Sequence, residues 1–177
     1  MEQDDVARVM HEMPYGLYII GSKEKDNGVN GMMADWVMQV SFEPRLIAVS
    51  FENDSHTLGN VREHGSFTVN LLGQDEESME LARRFAQPYS GEKVKGRKGP
   101  EATKTHNKLE GVEYDTAGTG CPVLAASMAW LDCTVEDIVP IGDHTLVVGL
   151  VTDGQMVREA EPMTSTYTGW TYSGSSH

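Results

Sequence analysis

Cysteine is nearly absent from this chain. Of 177 residues only Cys121 and Cys133 are cysteines, too few and too far apart for a zinc knuckle, a Cys-X-X-Cys redox motif or a disulfide framework. Both sit in apolar stretches and read as reduced, buried small residues rather than nucleophiles. Positive charge is scarce too. Lys and Arg number 14 against 27 Asp and Glu, a formal net charge of -13, so no surplus of cations is available to displace counterions from nucleic-acid phosphates. Nowhere do about eighteen apolar residues run together, as a membrane-crossing helix requires. The start Met1-Glu2-Gln3-Asp4-Asp5 is acidic where a secretory signal is basic and then apolar. A soluble cytoplasmic protein with no nucleic-acid or membrane partner is expected. The six histidines are scattered, with no pair at ligand spacing near a Cys or carboxylate cluster, so no metal site is expected, and no nucleophile elbow is present.

What is there suits one domain with a sizeable core. A core of about 12–160 and a tail over 161–177, rich in Ser, Thr, Tyr and Gly, read as parts of a single domain, 1–177. The scarce cations are unevenly spread. Eight of the fourteen lie between Arg83 and Lys108, against only Glu92 and Glu101. Such a segment on an acidic chain suits either a small phosphorylated anion or a solvated loop.

The fifteen residues Asn30 to Pro44 carry the most structural information. Asn30-Gly31 suits the two positive φ values of a tight hairpin turn, and Pro44 cannot donate to a sheet ladder. Between them, residues 32–40 alternate and predict one strand, with Ala34, Trp36, Met38 and Val40 on one face. Residues 45–51 lack alternation and read as a strand buried on both sides. Other strands are predicted over 16–22, 67–72, 128–139 and 144–151, the last two joined by a Gly142-Asp143 turn. Helices are predicted over 4–12, over 56–64 with Ser55 as N-cap and Gly65 as stop, and through Met79, Ala82, Phe85 and Ala86. Residues 87–120 read as a long excursion with one short element near Leu109. The fold class is therefore mainly β with short helices (α+β), an antiparallel barrel.

The order of these markers resembles the flavin reductase-like, FMN-binding split-barrel family. The resemblance spans roughly 12–160. It rests on Asn30-Gly31 with Ala34, Trp36, Ser41 and Pro44; Asn53 to Thr57 opening a helix; Phe67-Thr68-Val69-Asn70-Leu71; Arg84-Phe85; Gly120-Cys121-Pro122-Val123-Leu124; Leu131-Asp132-Cys133; and Gly142-Asp143-His144. It implies a homodimeric split barrel that holds FMN and takes a hydride from NADH or NADPH, with a possible redox partner protein as acceptor.

Carried over residue by residue, the resemblance implies that Met32, Met33, Ala34, Asp35, Trp36 and Ser41 face the flavin ring. It implies that Asn53, Ser55, His56, Thr57 and Arg84 serve the flavin phosphate, and that His144 stands at the nicotinamide site. Met33 and Asp35 replace the small hydroxyl residues common there, and a carboxylate at 35 opposes an anionic reduced flavin. Trp36 and Trp130 read as core aromatics, while Trp170 is left to cover the flavin or to clasp a second subunit. Two functions remain open: a flavin reductase that uses NADH or NADPH, or a flavin-binding electron carrier without a nicotinamide site. A barrel that has exchanged flavin for another ligand is a third.

Overall fold

In chain order the elements are α1 (Asp5–His11), β1 (Tyr18–Lys23), β2 (Val29–Ala34), β3 (Val37–Ser41), β4 (Leu46–Glu52), α2 (His56–His64) and β5 (Ser66–Leu71). They continue as α3 (Glu76–Phe85), β6 (Tyr114–Thr116), β7 (Pro122–Leu124), β8 (Ala129–Ile141), β9 (His144–Met156) and α4 (Ser165–Thr168). This computed structural model describes residues 4–87 and 107–170. The cations from Lys93 to Lys104 and the tail beyond Trp170 lie outside the described residues.

Seven strands form one antiparallel sheet in the order β2-β1-β5-β8-β9-β4-β3. Its two outermost strands, β2 and β3, are consecutive in the chain, with only Asp35 and Trp36 between them. Three Cα steps of about 3.8 Å keep Ala34 within roughly 11 Å of Val37, so the sheet must curl until its edges approach. No ladder joins β2 to β3. The result is the open, split form of a barrel, and its seam is the pair Asp35-Trp36.

Two predicted features of this region move. The strand expected over 32–40 is broken at the seam, because its halves pair with different neighbours, β2 with β1 and β3 with β4. The hairpin turn expected at Asn30-Gly31 lies earlier, where Asp26 and Asn27 take positive φ values of 59° and 60°. Gly31 is instead a strand residue chosen for closeness. A Cβ there would stand 2.8 Å from the Phe85 ring, so its absence lets α3 lie against β2.

Helix α2 begins at Ser55, whose Oγ accepts from the Leu58 N–H, and ends at Gly65 with φ 67°, as Ser/Gly capping predicts. Alternation along β1 feeds two cores. Ile20 joins Val49, Phe51, Phe67, Val69 and Val147 inside the curled sheet. Its neighbour Ile19 points to the other face, with Leu72, Ala82, Phe85, Leu124 and Met163.

The tail closes over this second core. Thr164 bridges to Gly16 and Pro162 to Gly73, and Trp170 packs against the cluster. A small hairpin pairs β6, at the end of the excursion, with β7 just beyond it; three-residue strands carry too little periodicity to read from sequence.

Candidate functional site

A cleft of about 370 Å³ opens beside the seam. Its apolar wall comes from Met32, Met33 and Ala34 at the end of β2 and from Phe85 at the end of α3. Asp35 and Trp36 form the seam itself, and Ser50 and Glu52 approach from β4. Asp54, Ser55, His56 and Thr57 contribute the start of α2, while Ala86, Gln87, Lys108 and His144 complete the lining.

The start of α2 presents the positive end of the helix dipole, the usual host for an anion. It is held firmly. The Ser55 hydroxyl lies 3.5 Å from Met32 Sδ, and His56 Nε2 lies 2.6 Å from Glu24 Oε1, which also accepts from Asn30 Nδ2 at 3.1 Å. Helix α2 is thereby tied to the β1-β2 hairpin.

Lys108 is buried. Among the described residues its ammonium donates to the Phe85 carbonyl, at 3.3 Å, a favourable place for a cation at the end of α3. Burial pulls its pKa down to about 8. Arg84 secures this arrangement, donating through Nε to the Lys108 carbonyl at 2.7 Å and through a second N–H to the Glu110 carbonyl.

At the opposite wall the Trp36 and His144 rings lie 4.9 Å apart, inclined by 38°. Asp143 Oδ1 is 2.7 Å from His144 Nδ1. Burial is the largest influence on Asp35 and pushes its pKa up to about 6, with Glu52 adding to the rise; the N–H groups of Asp35 and Trp36 and the nearby His144 act against it.

Of the residues proposed from sequence, Met32, Met33, Ala34, Asp35, Trp36, Ser55, His56, Thr57 and His144 meet in this cleft. Three do not line it. Ser41 is at the far end of β3, beside a register shift. Arg84 is spent on the two carbonyls just named. Asn53 binds the β8-β9 turn, through its N–H to the Asp143 carbonyl and its side chain to Gly142 and Thr145.

Trp36, expected in the core, is 40% exposed because the seam turns it toward the cleft. Ser50, Glu52, Asp54, Phe85, Ala86, Gln87 and Lys108 were not foreseen. For Lys108 a signal existed in the basic run, but a lysine whose stem is buried reads like any other.

A second hollow of about 510 Å³ beside β6 and β7 includes Glu113, Asp115 and Asp153 and no Lys or Arg in its lining, which unfits it for a phosphorylated anion. Among the described residues no helix is long and apolar enough to cross a membrane, and no group of three or more His, Cys, Asp or Glu could hold a metal ion.

Comparison with known proteins gives the same direction. Residues 10–174 match the family described as "Flavin reductase like domain". The chain is 32% identical over 159 residues to the ferric-chelate reductase (NAD(P)H) of Archaeoglobus fulgidus, covering 89% of this chain and 85% of that one. It is 29% identical over 162 residues to the high molecular weight rubredoxin of Moorella thermoacetica, covering 91% of this chain but only 64% of that longer protein. Among solved structures, the flavin reductase PheA2 in its native state superposes with a TM-score of 0.71 at 28% identity, over 99% of this chain and 97% of that one.

Proposed function

The chain belongs to the flavin reductase-like domain family, and from that membership we propose that it binds FMN in the seam cleft and acts as an NAD(P)H-dependent flavin reductase. The observation that carries this reading is the convergence, in one cleft, of an apolar slot, a helix N-terminus, a buried cation and a stacked Trp-His pair.

The residues present fit the cofactor. A volume of about 370 Å³ lies within the range of small-ligand sites, roughly 300–1,000 Å³. Met32, Met33, Ala34 and Phe85 offer a dry surface for a flat ring. Main-chain N–H groups over 32–34, on an edge strand of the sheet, offer donors to its polar edge whatever the side chains. Ser55, His56 and Thr57 would hold the phosphate at the start of α2. Lys108 would balance negative charge from within the apolar wall. FMN, when bound, supplies the acceptor for a hydride from the nicotinamide.

His144 needs no proton transfer for that step. Its role is to position the nicotinamide at the mouth of the cleft and, with Trp36, to keep water out. Reduced flavin or its electrons then pass to an acceptor, which is another protein or a free oxidant.

A homodimer is part of this reading. Edge strand β3 and the turn after it expose Met38, Val40 and Phe42, an apolar edge of the kind proteins cover by association. The two thiols, Cys121 and Cys133, are buried and unbridged, as suits a reducing compartment, and we assign the protein to the cytoplasm as a single domain over 1–177.

The test is flavin retention. The purified protein, incubated with FMN and desalted, should keep visible flavin bands or quench flavin fluorescence on titration. A folded protein with no measurable affinity for FMN would contradict the reading.

A further inference from the structure

Among the described residues Asn53 makes three hydrogen bonds, and they go to Gly142, Asp143 and Thr145, around His144. Its main-chain N–H donates to the Asp143 carbonyl at 3.1 Å. Its side-chain Nδ2 donates to the Gly142 carbonyl at 3.2 Å, and its Oδ1 accepts from the Thr145 hydroxyl at 2.7 Å. The residue just after β4 therefore grips the β8-β9 turn before and after the position from which His144 projects.

We propose that Asn53 is a positioning residue, a clasp that fixes the main chain around His144 and so holds its imidazole against Trp36 at the mouth of the cleft. This deepens the function proposed above and rests on it for the catalytic consequence, but the geometric claim stands separately.

The physical need for a clasp is local. His144 is the first residue of β9 and pairs with Glu52, the last of β4, and with Ile141 across the turn. Beyond it the hairpin has only Gly142 and Asp143, and Gly142 takes a φ of 58°. A two-residue turn at the tip of a long hairpin has no further ladder to steady it, and hairpin ends are where strands fray. Asn53 supplies the missing bonds from outside the hairpin.

Its amide is suited to this in a way that an Asp carboxylate is not, since one end must donate to a carbonyl while the other accepts from a hydroxyl. Thr145 is buried, so its hydroxyl has a reason to keep that partner. Arg62 adds a longer contact to the same hydroxyl, at 3.4 Å.

The ring contact gives a readout independent of turnover. The indole N–H resonance of Trp36, identified by its loss in Trp36→Phe and read at one pH without flavin, senses the ring stacked against it. It should move in His144→Ala.

The experiment is this resonance, measured at one pH, together with steady-state kinetics and flavin titration on Asn53→Ala and Asn53→Asp. Thr145→Val, which removes one bond of the clasp, serves if the first two do not fold. The proposal expects the resonance displaced toward its His144→Ala position, kcat/KM reduced on the order of 10-fold to 100-fold, and a flavin affinity within about threefold of wild type. A wild-type resonance and turnover in Asn53→Ala would overturn it, as would a folded Asn53→Ala that loses flavin, since Asn53 would then be a ligand contact. A Trp36 resonance that does not move in His144→Ala would also overturn it. Unchanged turnover in His144→Ala would instead sink the role given to His144, while the resonance comparison would still decide whether the clasp exists.

Discussion

The indole of Trp36 and the imidazole of His144 face each other at 4.9 Å, although one belongs to the seam between β2 and β3 and the other opens β9. The contact exists because the sheet curls: β4 lies between β3 and β9, so the start of β9 is brought beside the seam. If His144 positions the nicotinamide there, His144→Ala should lower kcat/KM on the order of 10-fold to 100-fold. Flavin affinity should stay within about threefold. Fluorescence titration with FMN and steady-state kinetics on the same preparation separate the two effects.

Lys108 should trade stability for binding. Burial depresses its pKa to about 8 from 10.5, so the folded state pays to keep the ammonium below pH 8, and stability should rise as pH climbs from about 8 toward 10.5. Lys108→Met should remove that rise. It should be more stable than wild type at pH 7 by on the order of 1 kcal/mol, after discounting for solvent, yet bind FMN about 10-fold to 100-fold more weakly through loss of a charge-assisted bond. Denaturant melts across pH and FMN titration check both parts.

Asp35 should behave in the opposite sense with pH. Its folded pKa of about 6 stands above the ordinary 3.8, so its contribution to stability is fully present below about pH 4 and is lost as pH rises through 6. Asp35→Asn should flatten this window. With no carboxylate to oppose the negative charge gained on reduction, the variant should also raise the midpoint potential of bound flavin by about 30 mV or more, equivalent to ~1.4 kcal/mol for a two-electron couple. Thermal melts between pH 4 and 7 and potentiometry provide the measurements.

Ser55 caps α2 through its Oγ, which accepts from Leu58 N–H at 3.3 Å. Ser55→Ala should cost about 1 kcal/mol, or about 2–4 °C in Tm for a domain of this size. If the phosphate sits at this helix start, the same change should weaken FMN more than riboflavin, which lacks the phosphate. Parallel titrations with the two flavins check this.

Much of this architecture was legible in the residues, for local reasons. Ser55 and Gly65 bracket α2 because their chemistry suits caps, and Gly142-Asp143 marks the β8-β9 turn because glycine accepts the positive φ found there. The break at Asp35-Trp36 was not legible. Strand alternation continues through it undisturbed, and only pairing across the whole sheet decides that residues 32–34 and 37–41 lie on opposite edges. Asn30-Gly31 misled because the pair suits a turn equally well, whereas here Gly31 answers a packing demand from Phe85.

The cleft was half legible. Its seam and helix-start residues are contiguous in the chain and follow a family order. Lys108, Phe85 and Glu52 arrive from separate elements, and their convergence depends on how α3 and β4 pack. Arg84 and Asn53 have the right chemistry for a phosphate but are engaged by carbonyls and, for Asn53, the Thr145 hydroxyl, a competition that sequence does not display.

The most direct measurement is anaerobic addition of NADH, and then of NADPH, to the FMN-loaded protein while the visible flavin bands are followed. Rapid bleaching by at least one nucleotide, at a rate that falls in His144→Ala while the flavin stays bound, is the predicted result. Bands that ignore both nucleotides and bleach only with dithionite would contradict a reductase and leave a flavin-binding electron carrier in its place.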